Sequence, residues 1–151
     1  MIWVAFSPRG ISDIWVAPKQ TSMNAPTYIQ ECLKKRLLKF IDLHYESREE
    51  IVFWPDLASC HYSSQTQEFL KTEGIVCVPR DQNPPNAPQI RPIENFFGIL
   101  KQHVYANNWS ATSREALIRR IKKYMDMVVK MFQNLKPKIE KAKENGFESL
   151  I

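Results

Sequence analysis

Two short, unbroken apolar runs constrain this chain more than anything else in it: Ile51-Val52-Phe53-Trp54, and Ile75 to Val78. Each is too short for a helix and is bounded by polar or helix-breaking residues. Each therefore reads as a strand buried on both faces. Between them, Ser64 and Gln67 have the spacing of a capping box, Phe69 and Leu70 are apolar, and Gly74 suits the position after a last helical turn. This predicts a short helix over 64–73. Strand, helix and strand in that order are the unit of an α/β domain with helices covering a mixed sheet.

The flanking sequence extends the alternation. Ile2 to Phe6 is rich in β-formers, Pro8-Arg9-Gly10 punctuates it, and Ile14 to Ala17 is closed by Pro18, which predicts a hairpin. From Asn24, a good N-cap, with Pro26 in the first turn, Ile29, Cys32, Leu33, Leu37, Phe40 and Ile41 recur at threes and fours, predicting a helix of about four turns. The segment 79–92 holds five of the ten prolines and reads as an irregular connection. Pro92 then opens a helix containing Ile93, Phe96, Phe97, Leu100 and Val104. Thr112 and Glu115 make a second capping box, opening a helix with Leu117, Ile121, Tyr124, Val128, Met131 and Leu135 inward. Arg119, Arg120, Lys122, Lys123 and Lys130 mostly face elsewhere. Pro137 breaks or kinks that helix, and Lys138 to Asn145 forms a last basic helix ending at Gly146.

A length of 151 residues suits one domain. The formal charge of +5 is unevenly placed. Residues 1–100 carry ten basic and eleven acidic side chains, whereas 101–151 carry eleven and five. The C-terminal third holds the whole positive excess, which points to an anionic partner such as nucleic acid, with a solvated helix face as the plain alternative. Cys32, Cys60 and Cys77 form no C-x-x-C pair, so neither a disulfide framework nor a structural zinc site is indicated. The apolar run Ile2–Phe6 is closed by Ser7, Pro8 and Arg9, too short for a signal-peptide core or a membrane span, and an intracellular protein is expected. Met1 leads directly into this run with no turn, cap or polar tail, which suggests sequence upstream.

Among the acids, Asp56 follows the first buried run and Glu94 stands in the first turn of the helix that Pro92 opens. Carboxylates at a strand end and a helix start are how an α/β fold presents hard donors to Mg²⁺ or Mn²⁺. A turn or cap role for Asp56 and a helix-dipole role for Glu94 account equally for each residue taken alone.

The surrounding words add a resemblance. Trp54-Pro55-Asp56-Leu57-Ala58-Ser59-Cys60-His61-Tyr62-Ser63 resembles the second acidic block of mariner/Tc-type DNA transposases, in which an Asp is followed by Asn or Leu, Ala, a small pair and a His. Asn83-Pro84-Pro85-Asn86-Ala87-Pro88-Gln89-Ile90-Arg91-Pro92-Ile93-Glu94-Asn95-Phe96-Phe97 resembles the third block, and the 37 residues between Asp56 and Glu94 match one branch of that superfamily. Trp3 to Ser7 with Gly10 is similar to the family's second strand and hairpin, and Tyr28 to its following helix.

The resemblance implies an RNase H-like mixed sheet flanked by helices, in which three acids hold two metal ions for DNA cleavage and strand transfer. By this resemblance Asp56 is the second acid and Glu94 the third, both catalytic and metal-binding. The first acid has no match: Asp13 lies beside the wrong strand. The expectation is therefore an N-terminally truncated catalytic domain that lacks its central first strand, over 1–110, with a basic helical extension over 111–151 packed on the same domain. Its Mg²⁺ or Mn²⁺ site would be weak or absent and its catalysis crippled. The open edges of Ile2–Phe6 and Ile51–Trp54 would invite a homodimer or another transposase chain. DNA is the implied partner, the nucleus the implied location, and a membrane is not implied. His61, Arg91, Lys101, Arg119, Arg120, Lys122 and Lys123 are the candidate nucleic-acid contacts. A domesticated or remnant interaction module without DNA chemistry is the alternative, and a fragment with no independent function the third possibility.

Overall fold

The N-terminal β-formers close into the expected hairpin, but not as one continuous ladder. In a computed structural model describing residues 1–83 and 92–133, β1 (Ile2–Trp3) pairs antiparallel with β4 (Trp15–Val16) in the register Ile2↔Val16 and Trp3↔Trp15. At the tip, β2 (Phe6–Ser7) pairs with β3 (Gly10–Ile11). Between the pairs, the buried Ser12 hydroxyl takes the place of a backbone acceptor. It accepts the Ala5 N–H at 2.9 Å and donates to the Asp13 carbonyl, while the Ser12 N–H reaches the Ala5 carbonyl. A side chain thus satisfies the backbone where the ladder breaks.

These residues gather into two compact units: 1–5 with 11–83, and 6–10 with 92–133. In the first, helix α1 runs from the α-helical turn Ala25–Thr27 through a π-wound stretch, Tyr28–Leu38, to the α-helical end Lys39–His44. The Asn24 side chain caps it by accepting the Thr27 N–H at 3.0 Å. The π-winding departs from the four α-helical turns expected, for a reason visible in burial. Tyr28, Cys32, Leu37 and Ile41 are buried at spacings of four, five and four. That spacing suits the wider turn of i→i+5 bonding, roughly 4.4 residues, better than an α-helix. The Arg36 guanidinium also donates to the Glu31 carbonyl, one π-turn back.

The two apolar runs form β5 (Val52–Phe53) and β6 (Val76–Cys77), paired parallel as Val52↔Val76 and Phe53↔Cys77. Helix α2 (Ser64–Thr72) connects them. Burial on both faces does not hold: Phe53 and Cys77 pack against the core, while Val52 is 63% and Val76 58% exposed. The N-cap of α2 is Ser63 rather than Ser64, with its hydroxyl accepting the Thr66 N–H, because Gln67 is drawn to the His61 carbonyl instead of back to the cap. At the other end Gly74 adopts φ +69 and the Ile75 N–H returns to the Leu70 carbonyl, the closure that a left-handed glycine permits. Arg48 joins the ends of α1 and α2, pairing with Asp42 at 3.1 Å and Glu73 at 2.7 Å.

The core of this unit joins Trp15, Tyr28, Cys32, Leu33, Leu37, Ile41, Leu70 and Ile75. Each large side chain removed from water there contributes about 1.5–3 kcal/mol. Burial pushes the Cys32 thiol up to about 12 against a weaker opposing pull from Arg36. Only about one molecule in 10⁴ then carries the thiolate at pH 8. Iodoacetamide followed by peptide mass spectrometry is expected to label half-buried Cys77 first and Cys32 only at the rate of unfolding; early alkylation of Cys32 would contradict this packing.

In the second unit, α3 (Pro92–Val104) and α4 (Arg114–Gln133) pack together. Phe96, Leu100 and Val104 are buried on α3, and Ile121, Met125 and Val128 on α4. The Phe6 ring from the hairpin tip lies 5.7 Å from that of Phe96. Met125 takes the inward place expected for Met131, which is 46% exposed. The cap of α4 is Ser113 rather than Thr112: its hydroxyl accepts the Ala116 N–H at 3.1 Å. Most of the proline-rich connection, Leu135, Pro137 and the last basic helix lie outside the described residues. No helix among the described residues is long and apolar enough to cross a membrane.

Candidate functional site

Asp56 stands just beyond β5, where Pro55 ends the strand and the chain turns outward. Its side chain is 66% exposed, yet it is held. Oδ1 accepts the Ala58 N–H at 2.8 Å, a local turn typical of Asp, and also lies 2.8 Å from Nδ1 of His61. The same ring nitrogen is 3.2 Å from the Asp56 carbonyl. Both acceptors call for the proton on Nδ1. The His61 ring is buried against Tyr28, with centroids 4.3 Å apart. Burial pushes the ionisation of Tyr28 well up, and its hydroxyl, beside the Trp3 edge, finds no partner of hydrogen-bonding geometry among the described residues.

The loop carrying Asp56 is closed from behind by residues to which the sequence assigns no structural role. Asn83, 3% exposed, accepts the Trp54 indole N–H at 2.8 Å and donates to the Pro55 carbonyl at 2.9 Å and the Tyr62 hydroxyl at 2.6 Å. Tyr62 passes its own proton to the Val78 carbonyl at 3.2 Å. Thr66, fully buried, donates to the Cys60 carbonyl at 2.8 Å. Cys60 is raised by burial and then by the Asp56 charge, which keeps it an inert thiol. Asn before Pro reads locally as a turn, so no sequence signal marked Asn83 as buried.

Glu94 is exposed in the first turn of α3, where unsatisfied N–H groups favour an acid. It belongs to the second unit, and Asp56 to the first. Lys101 is exposed on α3; Arg119, Lys122 and Lys123 are exposed on α4, as is Lys130. Arg119, Lys123 and Lys130 form a stripe opposite the buried Ile121, Met125 and Val128, with Asp126 among them. Arg120 differs from the outward position expected of it. Its guanidinium donates to the Val104 carbonyl at 2.5 Å and lies over the Trp109 ring at 4.5 Å and the Tyr124 ring at 5.2 Å. Arg91 lies outside the described residues.

The Asp56 and Glu94 carboxylates are the hard oxygen donors that Mg²⁺ and Mn²⁺ take. Among the described residues, however, no three His, Cys, Asp or Glu side chains come together to hold a metal ion.

No protein-family model matches the chain. A curated relative, the transposable element Tc3 transposase of Caenorhabditis elegans, is 34% identical over 108 residues, covering 72% of this chain and 30% of the relative. The chain thus spans under a third of that protein's length. The crystal structure of the Mos1 mariner transposase catalytic domain superposes with a TM-score of 0.67 at 16% identity, over 83% of this chain and 60% of that one. A Mos1 catalytic-domain structure determined with raltegravir and Mg gives 0.67 at 14% identity, over 88% and 69%. At that level of identity the likeness is one of fold, and the fold is RNase H-like.

Proposed function

The chain belongs with the catalytic domains of mariner/Tc-type transposases, and on that basis we propose that it is a DNA-binding segment of such a domain. It grips phosphates with α4 and supplies Asp56 and Glu94 as two of the acids that share Mg²⁺ or Mn²⁺ in the parent family. The observation that carries the binding reading is the cationic stripe of Arg119, Lys123 and Lys130 on the face of α4 turned from its apolar packing. Lys101, Lys122 and Arg91 are further contacts in this reading, whereas the buried ring of His61 serves the Asp56 loop and not the nucleic acid. Cleavage and strand transfer belong to the whole family domain. Residues 1–151 contain no match to its first acid, so the chain by itself binds DNA without cutting it. With chromosomal DNA as partner, its place is the nucleus.

Fluorescence anisotropy with a labelled duplex across a salt series tests the binding. The dissociation constant is expected to rise steeply and log-linearly with salt, as counterion release requires. Absence of binding at low salt would remove the DNA reading. Supercoiled plasmid incubated with Mg²⁺ or Mn²⁺ should stay intact; nicking that Asp56→Ala abolishes would overturn the inactive part.

One observation favours a second reading, that of an interaction module. Among the described residues β5 and β6 form a two-stranded parallel pair, with Val52, Val76 and Trp54 exposed, whereas parallel strands are ordinarily covered on both faces. A second copy, or another transposase chain, pairing at a strand edge and packing over this face would bury them. Sedimentation showing a dimer that Val52→Lys dissolves, together with no affinity for duplex, would favour this reading over the first.

A further inference from the structure

A buried side-chain amide is a demanding group, because it carries one acceptor oxygen and two N–H donors and each left unpaired is costly. Asn83 meets that demand with three bonds, and these three partners belong to the segment that carries Asp56. Trp54 and Pro55 precede the acid, and Tyr62 closes the far end of its loop. The bonds span 21 to 29 residues of sequence, so nothing local produces them. The orientation of the amide has one solution. The indole N–H can only donate and the Pro55 carbonyl can only accept, so the oxygen must face Trp54 and the nitrogen Pro55.

The Pro55 carbonyl belongs to the peptide bond that leads into Asp56. Holding it, together with the ring of the residue before it and the hydroxyl six residues after the acid, sets where the Asp56 Cα points. The Asp56 bonds to Ala58 and His61 then set the carboxylate. We propose that Asn83 is the positioning residue of the acid loop, fixing the direction in which Asp56 is presented. The functional weight of this role rests on the reading of Asp56 as the parent family's second acid.

The test uses the full 151-residue chain, ¹⁵N-labelled, and hydrogen exchange of the Trp54 indole N–H and the Ala58 amide. Asn83→Ala is expected to accelerate both by about 10- to 100-fold, the scale of one lost buried bond, with shift changes confined to residues near 52–62 and 78–83. Asn83→Asp keeps an acceptor for Trp54 and offers one to Tyr62, but cannot donate to Pro55. It should leave the indole slow and the Ala58 amide fast, a split that general loosening of the fold would not produce. If Asn83→Ala fails to fold, the split in Asn83→Asp carries the test. Equal acceleration across α1 and α2, or an unchanged Ala58 amide in Asn83→Asp, would overturn the proposal. Neither DNA nor metal enters the measurement. A chain that shows the split but ignores duplex DNA would therefore retain the Asn83 role and lose the DNA-binding reading.

Discussion

Replacing Arg120 by alanine is expected to destabilise the packing of α3 on α4 by about 2–4 kcal/mol, and to do so without touching a core apolar residue. A charge-assisted hydrogen bond contributes about 1.5–3 kcal/mol. Here it falls on the Val104 carbonyl, in the last turn of α3, where carbonyls lack intrahelical partners and a cation is favoured. A guanidinium over an aromatic face adds about 0.5–2 kcal/mol, and Arg120 lies between Trp109 and Tyr124. Tyr124 is in turn stacked on His103 of α3 at 5.7 Å, so the loss spreads across the helix pair. Arg120→Lys keeps the charge but not the planar fork, and should recover less than half of the loss. Urea unfolding followed by Trp fluorescence measures both. A change within about 0.5 kcal/mol in Arg120→Ala, the range of an ordinary surface substitution, would show that the guanidinium is free for another partner, such as a phosphate.

The triple variant Arg119→Gln, Lys123→Gln and Lys130→Gln should leave stability nearly unchanged, because all three side chains are exposed. It should instead weaken duplex binding by roughly 10²-fold or more at low salt. The slope of log affinity against log salt is expected to fall by about 0.9 for each phosphate that is no longer neutralised, hence by up to about 3. Anisotropy titrations at several salt concentrations give both quantities. An unchanged slope would reduce the stripe to a solvated helix face and move DNA binding, if there is any, to other cations. Arg120 is the internal control: the structure turns it inward, so its loss should lower stability more than it lowers the salt slope.

The legibility of the fold varied with how local each signal was. Gly74 was readable because a left-handed residue after a helix is a property of a few neighbouring residues. Asn24 and the amphipathic runs of α3 and α4 were readable for the same reason. The caps of α2 and α4 each fell one residue from the expected position: Ser63 and Ser113 took the role because their hydroxyls met the free N–H groups. The exposed faces of Val52 and Val76 were not legible, because an apolar run says that burial is favourable without saying that a covering layer is present.

For the candidate site, the sequence nominates Asp56 and Glu94 by position and by the resemblance, and His61 by the resemblance. The Asn83 hub was not, and neither was the packing of Tyr28 on His61 or the inward turn of Arg120. Each depends on groups brought together from distant parts of the chain.

Residue type and short-range spacing were thus enough to establish the order of strands and helices and the concentration of positive charge toward the C-terminus, and the resemblance added the chemistry expected of the two acid-bearing segments. Which cation is spent inside the fold, which strand faces stay open and which amide holds the acid loop were settled by three-dimensional packing alone. Hydrogen-bond partners and burial are properties of a surface assembled from separate segments, and no window of neighbouring residues contains that surface.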